Sequence, residues 1–477
     1  MASSGPASSS YAFTDLTDSR KCNLSEEIPA LELPGRIALL NQIKVCGKEK
    51  NLSKARRLHS KILQNNLIMK DVYVTTALVA TYSKCGSLNR ARELFDQLRV
   101  PNVVSWTTLI DAYTQHGLGK EAIECFKKMQ NEGICPDAVT YICILKACSI
   151  VGSLEIGEDI DAEVRKQGLL QKDIALGNTL LDMYAKCGAL EKAQELFDEV
   201  LVRDVSSWNV LISGYVLHEF YIEAISCFDK MQDDSFEPNA FTYACILKAC
   251  GILGATHKGQ DIHANIKVQG LVLQKDLVLC NALIDMYAKC GACANAQDMF
   301  DELRVRDVIS WTTLMSVYAQ HGEIKHVFRL FNQMISQGII PTEVTFVVMM
   351  IACSHGGLVV DGQACFDIMI NIYCLMPTME HYSCMVDLFG RAGHFDKAVI
   401  MIEKVPPCDG LELWISLLGI CQKWINVEIG RWAFENSLEL DEKCSAIYVS
   451  MRNIYAAAGM QDEVKKVEDL RLKNGVL

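Results

Sequence analysis

The sequence predicts an all-α fold, a solenoid of stacked helical hairpins, on the basis of three observations. Similar segments recur along the chain, blocks of related length cover most of it, and each block has the apolar spacing of two amphipathic helices. The segment "LLDMYAKCGALEKAQELFDEVLVRD" at 180–204 returns as "LIDMYAKCGACANAQDMFDELRVRD" at 283–307, and a looser copy stands at 78–102. Such self-similarity is typical of repeat proteins, in which each unit contacts its neighbours.

Three kinds of block alternate along the repeat. Short blocks of 31 or 32 residues contain "KCG" or a variant, 35-residue blocks contain a Trp, and long blocks of 36 or 37 residues contain "KAC" or a variant. The predicted array covers 36–410, between an N-terminal tail, 1–35, and a C-terminal extension, 411–477. Its long blocks are 36–71, 138–173, 240–276 and 343–378, its short blocks 72–102, 174–204, 277–307 and 379–410, and its 35-residue blocks 103–137, 205–239 and 308–342.

Each block is interpreted as a helical hairpin, as the short block 174–204 illustrates. Leu180, Met183 and Tyr184 lie on one face of a first helix, and Gly188 provides a turn because glycine tolerates positive φ. A second amphipathic stripe then consists of Leu190, Ala193, Leu196, Phe197 and Val200. One hairpin cannot bury this stripe alone, whereas stacked neighbours bury it continuously.

Composition excludes several classes of protein. The net charge of −12 argues against binding polyanions by bulk electrostatics, so a nucleic-acid role needs a local basic groove. The 21 cysteines recur with the repeat and not in pairs, which indicates buried thiols in a reducing compartment. No apolar run approaches the roughly 18 residues of a membrane helix, so we expect no membrane partner. His59 and His263 recur in long blocks and are interpreted as helix-surface residues.

The tail, 1–35, leaves two alternatives open. It is Ser-rich and contains Arg20 and Lys21, but Asp15 and Asp18 intervene and no apolar segment resembles a secretory signal. An organellar transit peptide and a plain disordered tail both fit this composition.

The sequence contains fragments of a deaminase motif, but not in the order that catalysis requires. A zinc deaminase needs H-x-E followed by P-C-x-x-C, but here "CGAC" at 290–293 precedes "HGE" at 321–323. Cys290 is the cysteine of a "KCG" triplet, and Cys293 replaces the core residue Leu190 of the sister block. We therefore expect no catalytic residue, metal or cofactor.

The block pattern resembles the plant pentatricopeptide-repeat (PPR) proteins of the PLS subclass. In that family 35-residue blocks are P-type, long blocks L-type and short blocks S-type, and the resemblance covers 36–477. It implies a right-handed superhelix, similar to tetratricopeptide repeats. The tetratricopeptide motif itself is met only partly, by "WTTLIDAY" at 106–113, where Ile110 replaces its Gly.

The C-terminal extension is similar to the family's E-type extension of degenerate helical hairpins. The family commonly continues into a DYW deaminase domain, whereas this sequence stops at Leu477. The resemblance therefore implies a deaminase or other editing-complex proteins recruited in trans through 411–477.

The resemblance also implies that each hairpin reads one RNA base with the fifth residue of its block and the last. Amides and hydroxyls at the fifth position can hydrogen-bond base edges, and a terminal Asp or Asn adds an acceptor or donor. The alternative is that the last residue merely caps the next helix. The predicted pairs are Thr76 with Asn102, Thr107 with Asp137, Asn178 with Asp204, Asn209 with Asn239, and Asn281 with Asp307; Thr312 faces Thr342, a departure from the pattern.

The long blocks carry apolar fifth residues and are expected to read poorly; these are Leu40, Ile142, Ala244 and Val347. With the amino end toward the RNA 5′ end, the family's code implies that the blocks from 72 onward read A, G, any, U, C or U, any, U or C. Three undetermined bases follow.

Two further sets of residues match the family's RNA contacts. Apolar second residues would wedge between bases, or alternatively pack at helix starts: Tyr73, Val104, Val139, Phe241, Val278 and Ile309. Cations at the thirteenth position of short blocks would meet phosphates, or alternatively remain solvated: Lys84, Lys186, Lys289 and Arg391.

The sequence thus predicts a sequence-specific protein for single-stranded RNA in mitochondria or chloroplasts. By family resemblance it would select sites for C-to-U editing. RNA stability or splicing is the alternative within the same fold, and a protein-binding scaffold is the alternative from another class.

Overall fold

A computed structural model describes residues 33–64, 71–200, 202–270, 276–405 and 410–476. The expectation for the tail therefore lies outside the described residues as far as position 32. The chain forms two compact units, 1–156 and 157–477, whose boundary falls within one helix. The described ranges contain 26 α-helices and no strand, and none of these helices is long and apolar enough to cross a membrane.

Helices alternate as first and second members of hairpins. The helices up to the boundary are α1 (Leu33–Lys48), α2 (Leu52–Gln64), α3 (Val72–Lys84), α4 (Leu88–Asp96), α5 (Val103–Gln115), α6 (Gly119–Asn131), α7 (Ala138–Val151) and α8 (Leu154–Lys166). The following helices are α9 (Ile174–Lys186), α10 (Leu190–Glu199), α11 (Val205–Leu217), α12 (Tyr221–Asp233), α13 (Ala240–Leu253), α14 (Thr256–Val268), α15 (Leu277–Lys289), α16 (Cys293–Glu302), α17 (Val308–Gln320), α18 (Ile324–Ser336), α19 (Glu343–Gly356), α20 (Val359–Asn371), α21 (Met379–Arg391), α22 (Phe395–Glu403), α23 (Leu411–Trp424), α24 (Val427–Leu440), α25 (Ser445–Ala457) and α26 (Gln461–Lys473).

Stacking follows one rule in both units. First helices pack against first helices, in the orders α1–α3–α5–α7 and α9–α11–α13 through α25. Most second helices also pack against the first helix of the next hairpin, as α4 does with α5 and α10 with α11. This arrangement buries the amphipathic stripes between consecutive hairpins, and it confirms the predicted α-solenoid.

The hairpin of 174–204 follows the predicted pattern with one exception. The three apolar residues predicted on α9 are buried, Gly188 has a φ of 80°, and the α10 stripe is buried from Leu190 to Phe197. Val200 is not part of that helix: α10 ends at Glu199, and Val200 is extended and half-buried. Its assignment to the stripe was wrong because the chain must leave the helix there to reach the next hairpin.

The recurring Trp packs against the preceding short block. The ring centroids of Phe95 and Trp106 lie 4.6 Å apart with their planes at 64°, an edge-to-face contact. The pairs Phe197–Trp208 and Phe300–Trp311 repeat this geometry at 4.6 and 4.8 Å. Each Trp therefore joins its own hairpin to the one before it.

The cysteines divide into two groups. Those of the long blocks, Cys46, Cys148, Cys250 and Cys353, are buried as expected. The "KCG" cysteines, Cys85, Cys187 and Cys290, are only half-buried, because each is the C-cap residue of its helix. No disulfide joins two cysteines within the described ranges.

The interpretation of His59 and His263 as surface residues was wrong. His59 is only 3 % exposed, and its Nδ1 lies 2.8 Å from the hydroxyl of Tyr82 in the next hairpin. Half-buried His263 makes the matching contact with Tyr287 at 2.9 Å. Burial lowers the pKa of both imidazoles. Spacing alone could not reveal this, since both sides of a second helix face neighbouring first helices.

These histidines should make stability depend on pH. Because their pKa values are lowered in the folded state, the unfolded chain binds protons more strongly, and their stabilisation is lost as pH falls below about 6.5. We expect the Tm of the wild type to fall between pH 7.5 and 5.5. Over the same pH interval, the Tm of the H59F/H263F variant should fall by about 2–4 °C less than that of the wild type. Phenylalanine is chosen because Phe366 stands at the matching position of another long block.

Thermal unfolding followed by circular dichroism at several pH values provides the measurement. His257→Gln is the control, because His257 is exposed on α14 and its change should leave the pH dependence as it is. Parallel Tm curves for the wild type and H59F/H263F would contradict the expectation.

Candidate nucleic-acid interface

The last residue of each predicted reading pair caps the next first helix. The Asn102 side chain accepts the Ser105 N–H at 3.0 Å, and the Asp204 carboxylate accepts that of Ser207 at 2.8 Å. The same N-cap bond forms at Asp137, Asn239 and Asp307. The capping alternative is thus correct as a description of local structure.

In three pairs the fifth residue also meets the last residue. The amide Nδ2 of Asn178 donates to Asp204 Oδ1 at 3.1 Å. The Asn209–Asn239 and Asn281–Asp307 pairs make the equivalent bond at 3.4 and 3.5 Å. The stacking of consecutive first helices therefore places side chains 26 or 30 positions apart next to each other.

A third residue, which the sequence reasoning missed, joins the two. The Ser207 hydroxyl donates to Asn178 Oδ1 at 2.6 Å and lies 3.0 Å from Asp204 Oδ1. Thr242 relates to Asn209 in the same way, at 2.5 Å. Both are third residues of the following block. The recurrence of Ser or Thr at that position was the available signal.

The threonine pairs use the same third residue differently. The hydroxyls of Thr107 and Thr140 lie 2.7 Å apart, and Thr140 also bonds to Asp137 Oδ1 at 2.8 Å. Thr312 meets Thr345 at 3.1 Å, and Thr345 meets Thr342 at 3.3 Å. The hydroxyl of Thr345 thus bridges the pair whose last residue departs from the pattern.

Two pairs lack the complete bridge. Thr76 donates to Val72 O in its own helix at 2.7 Å, and Ser105 donates to Asn102 O at 2.8 Å. In the third short block, the Ser310 hydroxyl donates to Asp307 at 2.7 Å, which leaves the buried Asn281 Oδ1 without a hydrogen-bond partner among the described residues.

The carboxylates of Asp204 and Asp307 are ionised at neutral pH. Partial burial by itself raises the pKa of Asp204, but hydrogen bonds from Ser207 and Asn178 outweigh it, and the pKa lies below its usual value. Hydrogen bonds from Ser310 and Asn281 likewise hold the pKa of Asp307 low. In both residues the bonds within the described chain end on Oδ1, so Oδ2 can accept from an incoming group.

The long-block fifth residues offer no polar atom. Leu40, Ile142, Ala244 and Val347 are all half-buried on first helices. Their side chains therefore cannot form hydrogen bonds with a base edge.

The apolar second residues are exposed. Their exposed fractions range from 45 % at Val104 to 71 % at Val278. Tyr73, Val139, Phe241 and Ile309 fall between these values. Their position one turn before the fifth residue places them on the same helix face.

Three of the four predicted phosphate-binding cations form ion pairs within their own helix. Lys186 binds Asp182 at 2.8 Å, Lys289 binds Asp285 at 2.7 Å, and Arg391 binds Asp387 at 2.8 Å. Lys84 forms no ion pair with a described residue. A phosphate role for these cations stays a prediction.

The cysteines that imitate a deaminase motif have structural contacts. Cys290 Sγ lies 3.7 Å from Cys250 O, and Cys293 Sγ lies 3.9 Å from Gly291 O. Within the described ranges, no group of three or more His, Cys, Asp or Glu side chains is placed to hold a metal ion.

Comparison with known proteins identifies the repeats. Residues 101–149, 203–251 and 306–355 match the PPR repeat family. Residues 73–100, 178–205, 278–308 and 380–405 match the PPR repeat, and residues 424–476 match the E motif.

Similar proteins carry the same repeats over most of this chain. The chain is 37 % identical to the Arabidopsis thaliana pentatricopeptide repeat-containing protein CRR2, chloroplastic, over 90 % of its own length and 66 % of that relative. It is 34 % identical to the mitochondrial protein At1g06140 of the same plant, over 92 % and 77 % of the two lengths. The chain spans half of one other relative, At1g11290, so it corresponds to part of several of these proteins.

A solved structure shares the fold. The pentatricopeptide repeat protein PPR10, crystallised in complex with an 18-nt psaJ RNA element, aligns with a TM-score of 0.67 at 17 % identity, over 94 % of this chain and 70 % of that one. The matched repeats, and the similarity to At1g06140 over 92 % of this chain and 77 % of that relative, show that the chain belongs to the pentatricopeptide-repeat family.

Proposed function

We propose that this chain binds single-stranded RNA of mitochondria or chloroplasts in a sequence-specific manner and selects sites for C-to-U editing. The deaminase or other editing proteins would be recruited in trans through residues 411–477. The observation that carries the proposal is the bridged cluster of fifth, last and third residues, which is complete at Asn178 and again at Asn209 of the next block.

The chemistry of the cluster suits a base edge. In the Asn178 amide, one N–H is donated to Asp204 and one lone pair accepts from Ser207, so one N–H and one lone pair are left. A uracil edge offers a carbonyl acceptor beside its N3–H donor, which matches that remaining pair. The ionised Asp204 adds a further acceptor.

The relatives support the organellar part of the proposal. CRR2 is named chloroplastic and At1g06140 mitochondrial, and PPR10 was crystallised with RNA. The E motif at 424–476 supports a role beyond RNA binding for the C-terminal helices.

Binding of the purified chain to synthetic RNA tests the proposal. An RNA with the predicted order A, G, any, U, C or U, any, U or C should bind at least about tenfold more tightly than a scrambled RNA of equal composition. Equal binding of both probes would contradict sequence-specific reading. If the chain binds neither RNA and a protein partner co-purifies with it, a role as a protein-binding scaffold would be favoured.

Plants that lack the protein would show whether it acts in RNA editing or in RNA stability or splicing. Loss of C-to-U conversion at one organellar site, with normal transcript abundance and splicing, is the expected result. If C-to-U conversion is normal but the abundance or splicing of a transcript changes, a role in RNA stability or splicing would be favoured.

A substitution at a fifth position should change one base preference. Asn178→Thr recreates the Thr-with-Asp pair of Thr107 and Asp137, so we expect the preference at the fourth base to move from U toward G by about tenfold. Competition binding with RNAs that differ at that base measures the change. Thr179→Ala is the control, because the Thr179 hydroxyl bonds to Ala175 O and lies outside the pair. An unchanged order of preference in N178T would contradict the assignment.

The bridging serine should affect base preference beyond its role in capping. Ser207→Ala removes the bond that orients the Asn178 amide, so U preference at the fourth base should fall severalfold, together with about 1 kcal/mol of stability. Competition binding and thermal unfolding measure the two effects.

Ser105→Ala is the matched control. Ser105 belongs to an equivalent capping box but forms no bond with Thr76, so this variant should lose similar stability and keep its preference at the first base. Equal effects of the two variants on base preference would contradict an orienting role for Ser207.

A further inference from the structure

The ninth residue of the long blocks is a lysine in three of four cases. Lys44, Lys146 and Lys248 lie on the first helices α1, α7 and α13, and Ile351 takes this position on α19. Each lysine follows the apolar fifth residue by four positions, which places it one turn further along the same helix face. That face also carries the exposed second residues.

These three lysines are exposed and form no ion pair with a described residue. The short blocks differ, because the ninth residue is an aspartate in three of the four, while the first short block has Ala80. Asp182, Asp285 and Asp387 each hold the cation four positions later at 2.7–2.8 Å. The ninth position therefore neutralises a cation in three short blocks and presents a cation without an ion pair in three long blocks.

An unpaired lysine is better placed to bind phosphate than a paired one. An ammonium group already bound to a carboxylate belongs to a pair with no net charge, and moving it to a phosphate breaks that pair. A free ammonium group gains a phosphate contact and releases a counterion from the RNA. In a chain with a net charge of −12, such local positive charge must be supplied by particular residues.

We propose that Lys44, Lys146 and Lys248 bind backbone phosphates of the RNA strand, so that the long blocks anchor the strand which the other blocks read. This inference rests on the proposed RNA binding and adds a role for the blocks that cannot read. Phosphate contacts hold a strand in position without carrying sequence information, which suits blocks whose fifth residue is apolar.

Salt dependence of binding tests the proposal with the full chain and the synthetic RNA of predicted order. The slope of log K against log salt is about −0.7 per phosphate contact in a single strand. K146A/K248A should therefore flatten the slope by about 1.4 and weaken binding to matched and scrambled RNA by the same factor. Ile351→Lys, which supplies the missing lysine, should steepen the slope by about 0.7.

The control removes the same charge from second helices. Lys127 on α6 and Lys267 on α14 are exposed, and K127A/K267A should leave the slope within about 0.3 of the wild type. Equal slopes for K146A/K248A and K127A/K267A would overturn the phosphate assignment while leaving RNA binding intact. A wild-type chain that binds neither RNA would overturn the proposed function, and the anchoring role with it.

Discussion

The N-cap bond at the start of the first helices from α3 to α17 is the contact on which the repeat depends. A helix begins with N–H groups that have no partner within it, and Asp or Asn supplies an acceptor at the preceding residue. Asp204 does this for Ser207, and the same oxygen accepts from Asn178 of the previous hairpin. One atom therefore fixes where a helix begins and links that helix to its neighbour.

Once the helix start is fixed, the register of its exposed face follows. Second, fifth, ninth and thirteenth residues succeed one another by about one turn, so they form one line of side chains on each first helix. Burial of the opposite face by stacked hairpins holds this line in place, as the contact between Phe197 and Trp208 illustrates. Because the block types place different residues at these positions, reading and anchoring can be divided between hairpins of similar backbone.

Charge on that line is set by local pairs. Asp182 holds Lys186, and Asp285 holds Lys289, whereas the ninth residue of α13, Lys248, has no carboxylate partner among the described residues. Net charge alone would therefore mislead about where an anion can bind. The relevant quantity is which cations are left without an internal partner.

The sequence by itself determined the hairpin repeat, because apolar spacing and turn glycines such as Gly188 are local properties of the chain. It also indicated the positions of the fifth and last residues, although their role in reading bases stays a prediction. Only the tertiary structure decided that Ser207 joins Asn178 to Asp204 and that His59 is buried against Tyr82. These contacts join residues 23 to 29 positions apart on different helices, and their geometry depends on how consecutive hairpins stack, which spacing within one helix does not specify.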